Sequence, residues 1–559
     1  MPHVKQVHSL YFQCLNCIFE SLYEVVSNGV DSKTLERMRK HFVTNLHGGI
    51  REHILKLAVL KDKNRIHVLL QLINLLIDSS VGYLCPVSGT GYLLADHYST
   101  LIHHLRNREC TGLKSLYIKV GHDRPKNKEE EIISKANKLF YSLLVKGLAK
   151  NLTVLVLETC CDNEILKLLG QNCMHLTKLN VTNSWSVNDN GCKYLCLKDP
   201  DCIPDIVEGD THTPQLLLNM MSMKPETLNQ CCFTLCDIRI QDTNTSDIAV
   251  LMLLIFIRNL KTLGGFIYFR SVGDNIVYLS RLAQEKLKLN LTELWDTHLT
   301  DSKLQHLSAV LPNLSSIYTR CMHLQLVTRF SKLSEIIIDF DFNHYEDVFF
   351  NFLASSGKQL RTITLKDQAG YIDLPKILES CPNLIEINCA VKMDSAAKSI
   401  QALRLIKANI KTTEIDVVEW IFDHTPNLEH FEVELNYHRE FFTNYTVVFD
   451  NGWLKDLIER KPQSLNSLKY FILNSSESRT FKQKTVLKFI LECQKLKHVG
   501  DFHTWAVPIK GLNGLRSALK DRNLDVNILY KSDLVPYITM QNIKEFNALK
   551  DPYKSYKML

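Results

Sequence analysis

The stretch His175 to Cys196 reads HLTKLNVTNSWSVNDNGCKYLC, and Leu291 to Leu314 follows the same plan as LTELWDTHLTDSKLQHLSAVLPNL. Each opens on apolar residues in the order LxxLx(L), passes through a polar turn carrying an Asp, and ends with apolar residues three and four apart. Period two followed by period 3.6 predicts one strand and then one helix. The same opening recurs at Leu113, Leu152, Leu260, Leu314, Leu333, Leu360, Leu384, Leu428, Leu468 and Leu496. Starts from Leu291 onward lie 23, 19, 27 and 24 residues apart, and later gaps of 44 and 40 leave room for a degenerate unit such as Ile410 to Val417.

Spacings of about 20 to 29 residues are those of a leucine-rich repeat. A single unit cannot bury its apolar side, so units stack into a parallel sheet with helices outside. LPNL at Leu311, CPNL at Cys381 and TPNL at Thr425 stand just before strands, where proline ends the preceding helix. The predicted fold is an α/β leucine-rich-repeat solenoid with a curved parallel sheet, preceded by an α-helical N-terminal region. The boundaries read as 1–110 for that region, 111–510 for the repeats and 511–559 for a C-terminal capping segment. Lys198 to Pro225 breaks the pattern and reads as an insertion or an irregular repeat.

Composition agrees with a folded chain. It has 559 residues, too many for one core, with 45% hydrophobic and 23% charged residues. Lys and Arg total 66 against 60 Asp and Glu, and no long basic run accompanies that small excess, so charge lends nucleic-acid binding no support. The most apolar runs, Val68 to Ile77 and Ile248 to Ile257, are about half of the ~20 residues a membrane helix needs. Seventeen cysteines without an export signal read as reduced thiols in the cytosol or nucleus. The Cys14/Cys17 pair and the group Cys231, Cys232 and Cys236 lack companions at zinc-finger spacing, so neither metal nor cofactor is expected. No phosphate-cradling loop, nucleophile elbow, HExxH or dinucleotide fingerprint occurs, and the chain reads as non-enzymatic.

Leucines of an LxxLxL strand point into the core, so alternate positions face the concave side. That rule exposes Glu293 and Trp295, Tyr318, Glu335, Glu386, His430 and Glu432, and Tyr470, an acidic face with scattered aromatics. Aromatic anchors among charges suit a protein ligand, and carboxylates repel phosphate. A basic or amphipathic protein segment is the expected occupant.

These repeats resemble the ribonuclease-inhibitor-like class found in F-box and Zyg-type ubiquitin-ligase receptors, over roughly Leu113 to Val499. The N-terminal stretch SLYFQCLNCI, Ser9 to Ile18, places Leu10, Cys14, Cys17 and Ile18 on one helical stripe. Its spacing resembles a BC-box: small Ser9, then Leu10, Cys14 and Ile18. The resemblance implies that Leu10 enters a pocket on Elongin C while Cys14 and Ile18 pack beside it. Leu46, Ile50 and Ile54 resemble a cullin box, with His47 where that family carries proline. Together these imply Elongin B and C, a cullin and a protein substrate as partners, with no nucleic acid and no membrane. Two alternatives stand beside this reading. Leu46 to Ile73 has helices of F-box length, which would bind a Skp adaptor, though without the Leu-Pro opening and late Trp. The helices could also simply cap a repeat scaffold that serves no ligase.

Overall fold

The computed structural model describes residues 10–61, 65–87, 91–121, 126–203, 213–266, 272–284, 287–296, 299–339, 342–366, 368, 370–394, 401–435, 449–475, 481–505 and 507–529. They fall into two compact units, one built mainly from the chain up to residue 298 and the other mainly from residue 314 onward.

The first unit begins with helices α1 (Leu10–Ser27), α2 (Ser32–Asn45), α3 (Gly48–Lys61) and α4 (Ile66–Leu76). Asp31 caps α2, its carboxylate accepting from the amides of Lys33 and Thr34. Helix α4 buries Val68, Leu69, Leu70, Leu72, Ile73, Leu75 and Leu76, and α1 packs on α3 and α4 through Leu15, Phe19, Leu22 and Val26. The helices are tied by Arg51 of α3, which is 1% exposed. Its guanidinium donates to the carbonyls of Leu46 (3.0 Å) and Leu76 (2.7 Å), to both Asp78 oxygens and to Ser80 Oγ. Burial alone would raise the Asp78 carboxyl, and the hydrogen bonds from Arg51 and Ser80 outweigh it, holding the group below the usual carboxylate range.

Strands β1 (Tyr83–Leu84), β2 (Ser115–Lys119), β3 (Val154–Glu158), β4 (Lys178–Asn180) and β5 (Asp237–Arg239) pair in parallel in chain order. Helices α5 (Ala95–Asn107) and α6 (Lys126–Leu143) follow β1 and β2, and pack on each other. Strands β6 (Gly265–Phe266) and β7 (Glu293–Asp296) form a further parallel pair. The second unit carries β8 (Ser316–Arg320), β9 (Glu335–Asp339), β10 (Thr362–Lys366), the short β11 (Ile372–Asp373), β12 (Glu386–Lys392), β13 (Lys407–Thr412), β14 (His430–Leu435), β15 (Tyr470–Ser475), β16 (His498–Gly500) and β17 (Asn527–Ile528). All neighbours here pair in parallel, with β11 beside the end of β12. One strand and one helix per unit, stacked in parallel, is the leucine-rich-repeat fold.

Most strands start two residues after the leucine that opens each repeat, as with Leu113 and Ser115 or Leu428 and His430. The asparagine just before several of those leucines has a fixed role. Asn151, Asn259, Asn290, Asn383 and Asn427 each donate a side-chain amide to a backbone carbonyl of the preceding repeat, at 2.7 to 3.1 Å. The bond pins the turn that feeds the strand, and proline before Asn383 and Asn427 sets its entry.

Two boundaries shift from the sequence reading. The sheet already begins at Tyr83, inside the segment assigned to N-terminal helices, because Tyr83 and Leu84 pair with Ser115 and Leu116. At the other end a helix at Ile509–Asp521 and strand β17 carry the repeat plan past residue 510, into the segment read as a cap. The insertion leaves and returns at one place, since Leu197 and Leu228 form an antiparallel bridge. Asn229 then donates to the carbonyls of Tyr194, Leu195 and Leu197, closing the C-terminal end of the helix Asp189–Cys196.

The core of the second unit is aromatic. Phe422, Phe431, Phe471 and Phe489 form a chain of ring contacts between 5.3 and 5.8 Å. Trp505, fully buried, joins it through Phe471 and donates its indole N–H to the carbonyl of Leu473 at 2.8 Å.

Candidate functional site

Helix α1 has two apolar faces. At 100° per residue, Leu15, Phe19, Leu22 and Val26 lie together, and they are the residues buried against α3 and α4. Leu10, Cys14, Cys17 and Val25 lie on a second stripe about a quarter turn or more away, and it is exposed: Leu10 is 76% accessible and Val25 40%. Ile18 sits half-buried at its edge. The first turn is held in place, because Tyr11 Oη and His53 Nδ1 of α3 lie 2.6 Å apart in a hydrogen bond. Ser9, the small residue of the proposed motif, lies outside the described residues.

Leu46, Ile50 and Ile54 do not make one outward face. Leu46 is the C-cap of α2, Ile50 opens α3 half-buried, and Ile54 has no exposed surface at all. The reading of Ile54 as a cullin contact is therefore corrected. Spacing of four puts Ile50 and Ile54 on one side of α3, and that side turns toward the other helices.

Strand alternation places the predicted concave positions on the face away from the leucine core. Glu335, Thr362, Glu386, Lys407, His430, Tyr470, His498 and Asn527 form one cross-strand row, and Thr364, Asn388, Asn409, Glu432 and Ile472 form the next. Two features of the expected face change. First, its aromatics are not exposed: Trp295, Tyr318 and Tyr470 are all buried, Tyr470 to 8%. The Tyr470 ring stacks on His430 at 4.1 Å and 9°, and meets His498 at 5.5 Å. Ile472 and Leu529 pack with it. Lys366 lies over the Tyr318 ring at 5.7 Å.

Second, the acidic character is balanced. Lys407 Nζ meets Glu386 Oε1 at 2.5 Å and Lys411 meets Glu434 at 3.0 Å, both lysines coming from β13. In the first unit Lys119 pairs with Glu158 at 2.9 Å, and Lys178 with Asp237 at 2.5 Å. Among the described residues Glu432 makes no ion pair. Glu293, Glu335, Glu386, His430 and Glu432 are half-buried. Burial pulls the His498 imidazole below its ordinary pKa, and Lys497 and His430 nearby act the same way.

The seventeen cysteines are free thiols. Burial pushes Cys110, Cys173, Cys321 and Cys381 up to about 12, far from reactive thiolates. Cys231 and Cys232 donate to the carbonyls of Leu195 and Cys196, fastening the chain where the insertion returns. Among the described residues no group of three His, Cys, Asp or Glu is arranged to hold a metal, and no helix is long and apolar enough to cross a membrane.

No family model and no curated protein matches the chain. Among solved structures, it is similar to one described as the Rad7 and Elc1 complex in yeast, at 14% identity and a TM-score of 0.39, covering 79% of this chain and 98% of that one. It is also similar to the mouse RP105/MD-1 complex, at 12% identity and a TM-score of 0.31, covering 81% of this chain and 72% of that one. Likenesses this distant carry no argument about function.

Proposed function

We propose that the chain is a non-enzymatic substrate-recognition subunit of a cullin-RING ubiquitin ligase, working in the cytosol or nucleus. One observation carries this reading: helix α1 buries one apolar face and, among the described residues, leaves a second, Leu10, Cys14, Cys17 and Val25, exposed. A helix that only capped the repeats would have no use for the second face. Exposed apolar surface of this kind marks an interaction site, and its spacing is that of an Elongin C-binding helix. Leu10 would enter the adaptor pocket, with Cys14 and Ile18 packed beside it. The repeats would hold a target protein, and the chemistry would belong to partner subunits, this chain supplying proximity. Cullin recruitment would fall to the adaptor and to surface other than Ile54.

Co-expression of the full chain with Elongin B and C, followed by affinity capture, tests the reading. A stable complex is expected with the wild type and none with a Leu10→Ser, Cys14→Ser variant that keeps its circular dichroism spectrum. Absence of a wild-type complex overturns it. Capture of a Skp adaptor instead would assign the helical region to the F-box class.

A further inference from the structure

The chain's small net charge hides an uneven distribution. Residues 481–529 hold nine Lys and Arg against four Asp and Glu, so this short segment carries five of the formal net charge of +6. All nine, Lys482, Lys484, Lys488, Lys495, Lys497, Lys510, Arg516, Lys520 and Arg522, are exposed. Of the four carboxylates, Asp501 is buried and Glu492 is drawn to Lys461 at 3.6 Å. Among the described residues none of the nine cations forms an ion pair, whereas the lysines of β13 are paired across the sheet. The other two carboxylates, Asp521 and Asp525, are exposed in the same segment and leave it a net charge of +5.

We infer that the outer helices of the last two repeats, Gln483–Glu492 and Ile509–Asp521, bind the phosphate backbone of a nucleic-acid duplex. The two helices pack together, and a Cβ on Gly514 would come within 2.7 Å of the Gln483 side chain, so Lys482 and Lys484 lie beside the second helix. On that helix Lys510, Asn513, Arg516, Ser517 and Lys520 share the exposed face, opposite buried Leu512, Leu515 and Leu519. From Lys510 to Lys520 the face runs about 15 Å, comparable to the ~12 Å width of a DNA major groove.

The type of ligand follows from what surrounds the cations. Phe481, Phe489, Phe502 and Trp505 are all buried and His503 is the one exposed ring among the described residues of this segment, too little for the successive rings on which single-stranded bases stack. Ile509 is the one large apolar side chain exposed among the described residues of this segment, too little for the apolar anchors of a protein interface or the apolar face of a membrane-surface helix. Point charges with neutral Asn and Ser between them suit phosphates read without regard to sequence, and the one carboxylate of this helix, exposed Asp521, stands at its last residue. The sheet face of the same unit, with its half-buried glutamates, does not.

The test is fluorescence anisotropy of the full-length chain with a labelled random-sequence DNA duplex. Binding is expected to weaken by about 100-fold or more as salt rises from ~50 to ~200 mM. A variant with Lys484, Lys488, Lys510, Arg516 and Lys520 all changed to Glu is expected to lose duplex binding at both salts. The corresponding Gln variant keeps the exposed positions without reversing charge and should lose most of the salt dependence. Reversing five exposed cations elsewhere, Lys33, Arg37, Lys40, Lys150 and Lys224, should leave the affinity within a few-fold. No wild-type binding at low salt, or equal binding by the five-Glu variant, overturns the inference. So does preferential binding to an acidic polypeptide or to phosphatidylserine vesicles that the same variant abolishes, which would give the surface to a different class of partner.

Discussion

Helix α1 and strand β15 both carry large apolar side chains on the face their period turns away from the core, and they end differently. Leu10 on α1 is 76% exposed, whereas Ile472 on β15 is fully buried and Tyr470 nearly so. On the strand, neighbours in the row supply the cover. His430 and His498 flank the tyrosine ring, and Leu529 reaches Ile472 across Gly500, which has no side chain to stop it. On the helix nothing in the described chain lies over Leu10, Cys14 and Cys17. The sheet face completes itself, and the helix face stays open among the described residues.

The largest expected effect comes from the buried face of α1. Phe19 is 1% exposed, and Phe19→Ala should cost about 3–5 kcal/mol. Urea denaturation followed by circular dichroism would show it as a fall in midpoint. A loss below about 1 kcal/mol would mean that α1 is not seated on α3 and α4, and the contrast between its two faces would collapse. Next comes the position that lets the sheet face close. A methyl at Gly500 would meet the Leu529 carbonyl at 2.7 Å and its Cβ at 2.9 Å. Gly500→Ala should therefore destabilise by about 1–3 kcal/mol, because backbone must move to admit it. A neutral result would show that Leu529 does not cover Ile472.

These two sites also mark what could be read in advance. The opening LxxLxL and the Asn-Leu pair before it announce most strands, because one sets the core alternation and the other supplies the amide that pins each turn. Strand β13 does not announce itself. Its opening, Leu405 to Ile410, has alanine at the middle core position, Ala408, and so breaks the leucine phrase. The degenerate unit was expected to start at Ile410, whereas the strand runs Lys407–Thr412. That shift matters for the site, since β13 brings Lys407 and Lys411 opposite Glu386 and Glu434 and turns an acidic face into a paired one. Aromatic burial was equally hidden, because period two says which face a side chain takes and nothing of what else lies on that face. Ile54 teaches the same for helices: a spacing of four groups residues without saying whether the group looks inward.

A smaller effect separates the two regions by pH. The His498 imidazole has a folded-state pKa below its unfolded value, from burial and the nearby charge of Lys497 and its neighbour His430. The folded state thus binds fewer protons at that site. Its contribution to stability is complete above about pH 6.5 and is lost as pH falls through that value toward the depressed one. The groups facing it are His430 and Tyr470 from the sheet, with Lys497 and Asp525 beside it. Melting temperature should fall between pH 7.5 and 5.5, and His498→Gln should flatten that slope, while Cys14→Ser should leave it unchanged. Equal slopes in wild type and His498→Gln would remove this histidine as the source.

The smallest effect on stability is expected at Leu10, where the consequence for binding should be greatest. Leu10→Ser removes a side chain that makes little contact within the chain, so the denaturation midpoint should move by no more than about 0.5 kcal/mol equivalent. If Leu10→Ser instead costs as much as Phe19→Ala, then Leu10 is buried in solution and α1 is a cap on both faces. If stability holds and adaptor capture is lost, the outward stripe is an interface whose energy is realised only in the complex. Tyr11 allows one further separation, because its hydroxyl holds the first turn against His53 without belonging to the stripe. Tyr11→Phe should keep the face chemically intact while loosening its presentation, so it should weaken capture less than Leu10→Ser does. Equal loss in both variants would mean that the first turn has to be fixed before the partner can bind.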